Sequence, residues 1–256
     1  MELQAPSRWR CADFISDLHL QASDRVTFAA WAAYMRSTSA DAIFILGDLF
    51  EVWVGDDAAR VAHTFEAECV AILQEASARL ALYIMQGNRD FLMGPALMEQ
   101  CKATALHDPT ILVFAKQRWI LSHGDALCVD DTDYQSFRRQ VRSATWQQSF
   151  LAHPLEERKA IARGIRETSE SRKQETVVYA DVDGAEALAL MARSQANQLI
   201  HGHTHRPGQH RLAAEKIRNV LSDWDANAAP PRAEVLRLAL QADGTALMTR
   251  LSAVIA

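Results

Sequence analysis

Short apolar runs alternate with stretches of helical period along the first part of this chain. Residues 12–16 and 42–46 end at Asp17-Leu18-His19 and Gly47-Asp48, and residues 81–85 end at Gln86-Gly87-Asn88-Arg89. Their length and their β-branched and aromatic content read as strands. Between them, residues 24–37 repeat apolar side chains at helical spacing, with Val26, Phe28, Trp31 and Met35 on or near the inner face. A longer helical pattern covers about residues 58–80. Near-continuous apolar strands separated by helices predict a sheet covered on both faces. Ligands of such sheets collect at the carboxyl ends of the strands, where these polar motifs fall.

Further along, residues 110–115 and 118–121 fit two strands, the second running into Ser122-His123-Gly124-Asp125. Residues 199–200 form a short strand that feeds His201-Gly202-His203-Thr204-His205. The tail offers strands at 209–213, 216–221, 234–240 and 246–251, with turns at Ala229-Pro230-Pro231 and Asp243-Gly244. That pattern reads as an antiparallel meander forming the second sheet of a sandwich. Residues 130–175 differ: they are helical, rich in charge, and carry Tyr134, Phe137, Trp146 and Phe150. A solvated helical hairpin is the plain reading of such a segment. Its place between two ligand motifs predicts an inserted cap on a single domain spanning residues 1–256.

Composition narrows the class. The chain has 256 residues, 49% of them hydrophobic and 23% charged, with a formal net charge of −5. An acidic balance argues against a dedicated nucleic-acid binder, which is usually basic. Cys11, Cys69, Cys101 and Cys128 form no paired spacing, so free thiols in a reducing compartment are expected. No apolar stretch approaches the roughly 20 residues of a membrane-spanning helix. Residues 1–10 lack an apolar core of signal-peptide length. The expectation is a cytoplasmic protein, with contact at a membrane surface left open and no obligate protein partner inferred.

Singly, each polar motif has an ordinary explanation: a structural histidine, a turn, an Asx turn. Together, D-x-H, G-D, G-N-R-D, H-G-D and H-G-H-T-H in this order resemble the calcineurin-like metallophosphoesterase superfamily. The resemblance implies an α/β fold, a four-layer α/β/β/α sandwich with a dinuclear metal site at one end. It implies Asp17, His19, Asp48 and His205 on one cation, and Asp48, Asn88, His123 and His203 on the other, with Asp48 bridging. Two divalent cations would be the cofactor, and the oxygen and imidazole donors look most like manganese. Asp48, Asn88, Arg89 and His123 are the expected catalytic residues. The planar fork of Arg89 suits phosphate oxygens; the alternative is an ion pair with Asp90 or Asp125. His201 is expected to support the ligands from behind. His63, His107, His153 and His210 read as structural or surface residues.

Longer motifs narrow the resemblance. Gly87-Asn88-Arg89-Asp90-Phe91-Leu92, the run from His123 to Asp131, and His201-Gly202-His203-Thr204-His205-Arg206-Pro207 look like the branch of UDP-2,3-diacylglucosamine pyrophosphatases of lipid A synthesis. That branch implies a lipid-linked nucleotide substrate, no nucleic acid, and a peripheral place on the cytoplasmic face of the inner membrane. It implies release of UMP and 2,3-diacylglucosamine 1-phosphate after attack of a metal-activated water on the α-phosphorus. Substrate contacts carry over to Asn88, Arg89, Asp131 and His203, and in the cap to Thr168, Arg172 and its neighbour Lys173. The cap departs from the branch's usual Ser, Asn and Lys, since an ungapped count puts Glu175 at the last position. Trp146, Phe150, Leu151, Leu155, Ile161 and Ile165 have the spacing of apolar helix faces. They line an acyl groove, touch a membrane surface, or pack the cap on the core. The rival functions are a metallophosphoesterase of small soluble esters, a nuclease, and a scaffold that has lost its metals; the intact ligand set argues against the last.

Overall fold

The computed structural model describes residues 1–175 and 181–253, the side chains of residues 166–175 excepted. Two six-stranded mixed sheets face each other. The first is built on the parallel strands β2 (Cys11–Ile15), β3 (Ala42–Leu46), β4 (Ala81–Met85) and β5 (Thr104–Leu106). The helices α1 (Arg25–Ser37), α2 (Phe65–Ser77) and α3 (Pro95–Cys101) lie among these strands in the chain. The second sheet contains β1 (Glu2–Gln4), β6 (Thr110–Phe114), β7 (Gln117–Ser122) and β8 (Gln198–His201), then β9 (Gly208–Arg211) and β10 (Ile217–Val220). Its order is β1-β6-β7-β8-β10-β9.

Three apolar layers hold the sandwich together. Ile15, Ile43, Ile45 and Ile84 face Trp31, Met35 and Leu73 of α1 and α2. Phe14, Phe44, Leu46 and Met85 meet Leu112, Trp119, Leu121 and Ile200 of the other sheet. Ile120 and Leu199 are covered by Leu190 and Met191 of α7 (Gly184–Arg193). Alternate side chains of one strand thus enter different layers, so the parallel strands read as apolar throughout. The observed order is helix, sheet, sheet, helix.

Between β7 and α7 the chain makes α4 (Thr132–Val141), α5 (Ala144–Leu151) and α6 (Leu155–Glu175). Asp131 and Ser143 cap α4 and α5 by accepting the backbone N–H groups of Tyr134 and Trp146, satisfying donors that the helix leaves free. Trp146, Phe150, Leu155 and Ile161 pack on the apolar layer under α1 and α2, whereas Leu151 and Ile165 are exposed. Packing therefore accounts for most of the apolar face seen in the sequence.

Several expectations are corrected. The tail is not the second sheet: β9 and β10 extend it, but β11 (Glu234–Leu240) and β12 (Ala246–Ser252) return to the first sheet, where β11 pairs antiparallel with β2. Leu236 and Leu238 enter the layer between the sheets while Val235 enters the outer one. A strand buried on both faces gives no local sign of which sheet it joins. The pattern at 58–80 divides into a 3-10 turn at Asp56–Arg60 and α2. His63, at φ 62°, breaks it, and Thr64 caps the new helix. Val26 is exposed rather than inward. The short elements β1, β5 and α3, and helix α7, were not anticipated. The four cysteines are free, and all but Cys11 are buried.

Candidate metal centre

Five of the seven candidate ligands sit near strand ends in a backbone conformation that few residues adopt. Asp17 (φ 53°), His19 (φ 48°), Asp48 (φ 52°), His203 (φ 67°) and His205 (φ 51°) all lie in the left-handed region. Such conformations cost energy in non-glycine residues and persist where surrounding structure enforces them. Here the enforcement is visible. The backbone N–H groups of Leu18 and His19 donate to Asp48 O, and that of Trp224 to Asp17 O. A Cβ at Gly87 would collide with the Asp48 carboxylate, and one at Gly202 with Asp17 and Ser16. Glycine at these two positions lets the ligand-bearing loops approach one another.

The donor atoms converge. His19 Nε2 and His205 Nε2 are 3.4 Å apart, and His205 Nε2 is 3.5 Å from Asp17 Oδ1. His123 Nε2 lies 3.7 Å from Asp48 Oδ1 and 2.9 Å from Asn88 Oδ1, which is also 2.8 Å from His203 Nδ1. Two triads, Asp17–His19–His205 and Asp17–Asp48–His123, each have ligand atoms within 4.8 Å of one another. Asp17 belongs to both. All seven sequence-predicted ligands thus come together at one end of the sandwich. Carboxylate, amide and imidazole donors at these spacings fit a pair of divalent cations.

Outer contacts orient the imidazoles. His19 Nδ1 lies 2.9 Å from Glu51 Oε2, and His123 Nδ1 lies 3.0 Å from Leu46 O. Each contact leaves Nε2 free to face the centre. Asp17 accepts the His203 N–H through both oxygens, and Ser16 donates to it as well. Asp90 accepts from the backbone N–H groups of Leu49, Phe50 and Gly87, joining two ligand loops.

The charge balance matches a cation site. Burial alone would lower the His123 pKa, but the carboxylates of Asp48, Asp125 and Asp17 push it to about 9. Burial and the nearby His123 charge bring His203 down to about 3. Burial works to raise Asp17, yet the His205 hydrogen bond and the surrounding imidazoles hold it well below the usual carboxylate range. Burial and the neighbouring Asp48 raise Asp90 to about 7. Protonation of His19 and His123, both raised against burial by the carboxylates around them, balances buried charge here, a role that a divalent cation would take over.

The remaining candidates are placed as follows. Arg89 pairs with neither Asp90 nor Asp125; its Nη1 is 3.4 Å from Glu51 Oε1. Asp90 is occupied by backbone N–H groups, and Asp125 by Tyr134 and Arg138 of α4. Asp131 is exposed at the start of α4. His201 is fully buried and its Nδ1 lies 2.8 Å from Gly202 O, the main chain beside His203. The side chains of Thr168, Arg172, Lys173 and Glu175 lie outside the described residues. Sequence reasoning gave no supporting role to Glu51, Asp90 or Asp125, although Asp90 and Asp125 stand inside the quoted motifs and Glu51 follows Gly47-Asp48 by three residues.

The chain belongs to the calcineurin-like phosphoesterase family, whose model matches residues 13–207. Within that family its relatives are specific. It is 42% identical to the UDP-2,3-diacylglucosamine hydrolase of Aromatoleum aromaticum over 84% of this chain and 89% of that one. It is 44% identical to the Chromobacterium violaceum protein of the same name, over 82% and 89%. The Xanthomonas oryzae pv. oryzae protein of that name is 39% identical over 91% and 96%.

Proposed function

We propose that the chain hydrolyses the pyrophosphate of UDP-2,3-diacylglucosamine, releasing UMP and 2,3-diacylglucosamine 1-phosphate, a step of lipid A synthesis. The observation that carries this reading is the convergence of an intact ligand set in a chain so similar to proteins of that name. Asp17, His19, Asp48 and His205 would hold one cation and Asp48, Asn88, His123 and His203 the other; Asp17, which stands in both triads, lies beside Asp48 at their junction. Manganese suits this donor set best. When bound, two such ions supply Lewis acidity toward the phosphate and activate a water for attack at neutral pH.

The chain's own residues supply the rest. Glu51 faces both His19 and Arg89, so one carboxylate aligns a ligand and a guanidinium. Arg89 then presents its fork to the phosphate oxygens and stabilises the charge that builds on them when the α-phosphorus is attacked. Asn88 orients the phosphate through its amide. Helices α4–α6 act as a cap, and the sequence resemblance assigns substrate contacts to Asp131 and His203 and, in the cap, to Thr168, Arg172 and Lys173. No helix among the described residues is long and apolar enough to cross a membrane. The exposed Leu151 and Ile165 fit peripheral contact with the inner membrane.

The test is turnover by metal-stripped protein after manganese or magnesium is restored, with a simple phosphodiester alongside. Manganese-dependent release of UMP from the lipid, well above the diester rate, is expected. Diester cleavage without lipid turnover would move the chain to another substrate.

A further inference from the structure

One face of α4 touches both loops that bring ligands to the second triad and Asn88. Tyr134, Arg138 and Arg142 are spaced four residues apart and so project from one side of the helix. The Tyr134 hydroxyl donates to Asp125 Oδ2 at 2.6 Å, and Arg138 Nε donates to the same oxygen at 2.7 Å. Gln135 adds donors to Asp125 O and Cys128 O at 2.7 and 3.1 Å. Asp125 itself is fully buried, two residues after His123. These contacts fix the His123 loop to the helix.

Arg142 does something the other two do not. Its Nη2 donates to Gly87 O at 2.9 Å and lies 3.7 Å from Asp125 Oδ2. Gly87 directly precedes Asn88, and its N–H is already held by Asp90 at 2.7 Å. Arg142 therefore bonds the loop of Asn88 on the opposite side of the same peptide turn while facing the carboxylate of the His123 loop. The ligand atoms of those loops, Asn88 Oδ1 and His123 Nε2, stand 2.9 Å apart. A cation shared by two loops binds only if their spacing is kept, and outer contacts that keep it typically matter about 10- to 100-fold in metal affinity or activity.

We propose that Arg142 is a positioning residue for the reaction: bonded to the Asn88 loop and paired with the His123 loop, it sets the separation of those two ligands. The helix of the cap is then part of the metal site's frame as well as its cover. A guanidinium suits this task because its planar fork reaches two acceptors at once, which an ammonium does not. The proposal rests on the ligand set given above for the second cation.

The test compares the parent chain with Arg142→Met, Arg142→Lys, Asn88→Ala and the double variant Asn88→Ala/Arg142→Met. Manganese stoichiometry and the electron paramagnetic resonance signal of a coupled manganese pair are read beside kcat and KM. Arg142→Met is expected to lower kcat by about tenfold or more on both the lipid and a simple diester. KM for the lipid stays within about twofold, and the coupled-pair signal weakens. Arg142→Lys recovers part of the loss. Because Arg142 acts through Asn88, the double variant is expected to be little worse than Asn88→Ala alone. Additive losses overturn the proposal. So does a rise in KM for the lipid alone, or a lower melting temperature with metal content and kcat intact. If Arg142→Met does not fold, the same comparison is made with Arg142→Lys and Asp125→Asn. Should the parent cleave the diester but not the lipid, the substrate reading fails while the diester cycle still decides the role of Arg142.

Discussion

The strand-end loops and the helices α4–α6 are held by different means. At the strand ends, main-chain geometry does most of the work: left-handed ligands, glycines without room for a side chain, and buried carboxylates that collect backbone N–H groups. Helices α4–α6 are held by the apolar packing of Trp146, Phe150, Leu155 and Ile161 and, at their polar contacts, by a few long cationic side chains. Arg138 and Arg142 reach Asp125 and Gly87, and Arg158 reaches Val54 O, His153 O and Asp57. In the first device a side chain added at Gly87 or Gly202 would meet a neighbouring ligand loop. The second fastens an element at separate points and leaves the rest of its surface free to vary.

The largest effects are expected at the strand ends. Asp48→Ala removes a carboxylate that faces His123 and accepts the Arg89 N–H. Activity is expected to fall by about 1,000-fold or more, as for loss of a principal electrostatic contact to the transition state. Turnover assays with metal analysis check this, and near-normal turnover with full metal content would remove Asp48 from the bridge. Gly87→Ala comes next. Its methyl group has no space against Asp48, so the turn must shift at a cost of about 1–3 kcal/mol, and activity should fall with stability. A denaturant titration showing unchanged stability would mean that the loop is softer than its contacts indicate.

Arg158→Ala tests the other device. Arg158 is buried, and its guanidinium serves two carbonyls and the half-exposed Asp57. Loss of these charged hydrogen bonds should cost about 2 kcal/mol. The comparison predicts a lower denaturation midpoint with metal content unchanged. If metal is lost too, α6 is as much a part of the frame as α4.

The same contrast explains what the sequence revealed. The candidate ligands stand out in the sequence because each follows an apolar run and stands beside glycine or another short polar residue, a local pattern. The parallel strands β3 and β4 were legible for the same reason. The partners of those ligands were not. Glu51 joins His19 across more than thirty residues of chain, and Asp125 gains its meaning only when α4 folds over it. The placement of β11 beside β2 depends on contacts between the chain's two ends. Helix α7 is short and amphipathic, and its role is set by the sheet it covers. Periodicity reports which side of an element is buried, not against what.

A pH series separates the charge of the metal end from the rest of the molecule. In the metal-free chain His123 has its pKa raised to about 9. Its charged form therefore favours folding fully below its ordinary value near 6.5, and that contribution is lost as the pH rises toward 9. Asp90, raised to about 7, acts in the same direction through the lower part of that range. His203, lowered to about 3, is neutral in the folded chain throughout and half protonated in the unfolded chain at pH 6.5, so it adds only a small opposing gain that is complete about one pH unit higher. The metal-free chain should lose roughly 2–3 kcal/mol between pH 6.5 and 9, or about 5–10 °C in melting temperature. The manganese-loaded protein, with His123 already deprotonated as a ligand, should lose less. Parallel curves would show that the cation leaves the His123 proton in place.

The smallest effect is expected where α5 and α6 meet solvent. Leu151 is 43% exposed and Ile165 36%, so replacing both by Ser should change stability by about 0.5 kcal/mol or less. Phe150, at 6% exposure on the neighbouring turn, packs against the core instead. If the exposed pair meets a membrane, sedimentation with vesicles containing anionic lipid should fall several-fold in the Leu151→Ser/Ile165→Ser variant, while turnover of a soluble diester stays as in the parent. An apolar pair adds little to folding when it faces water but contributes directly once bilayer replaces that water. Unchanged sedimentation would assign membrane contact to the basic side chains of these helices and leave Leu151 and Ile165 as ordinary exposed residues.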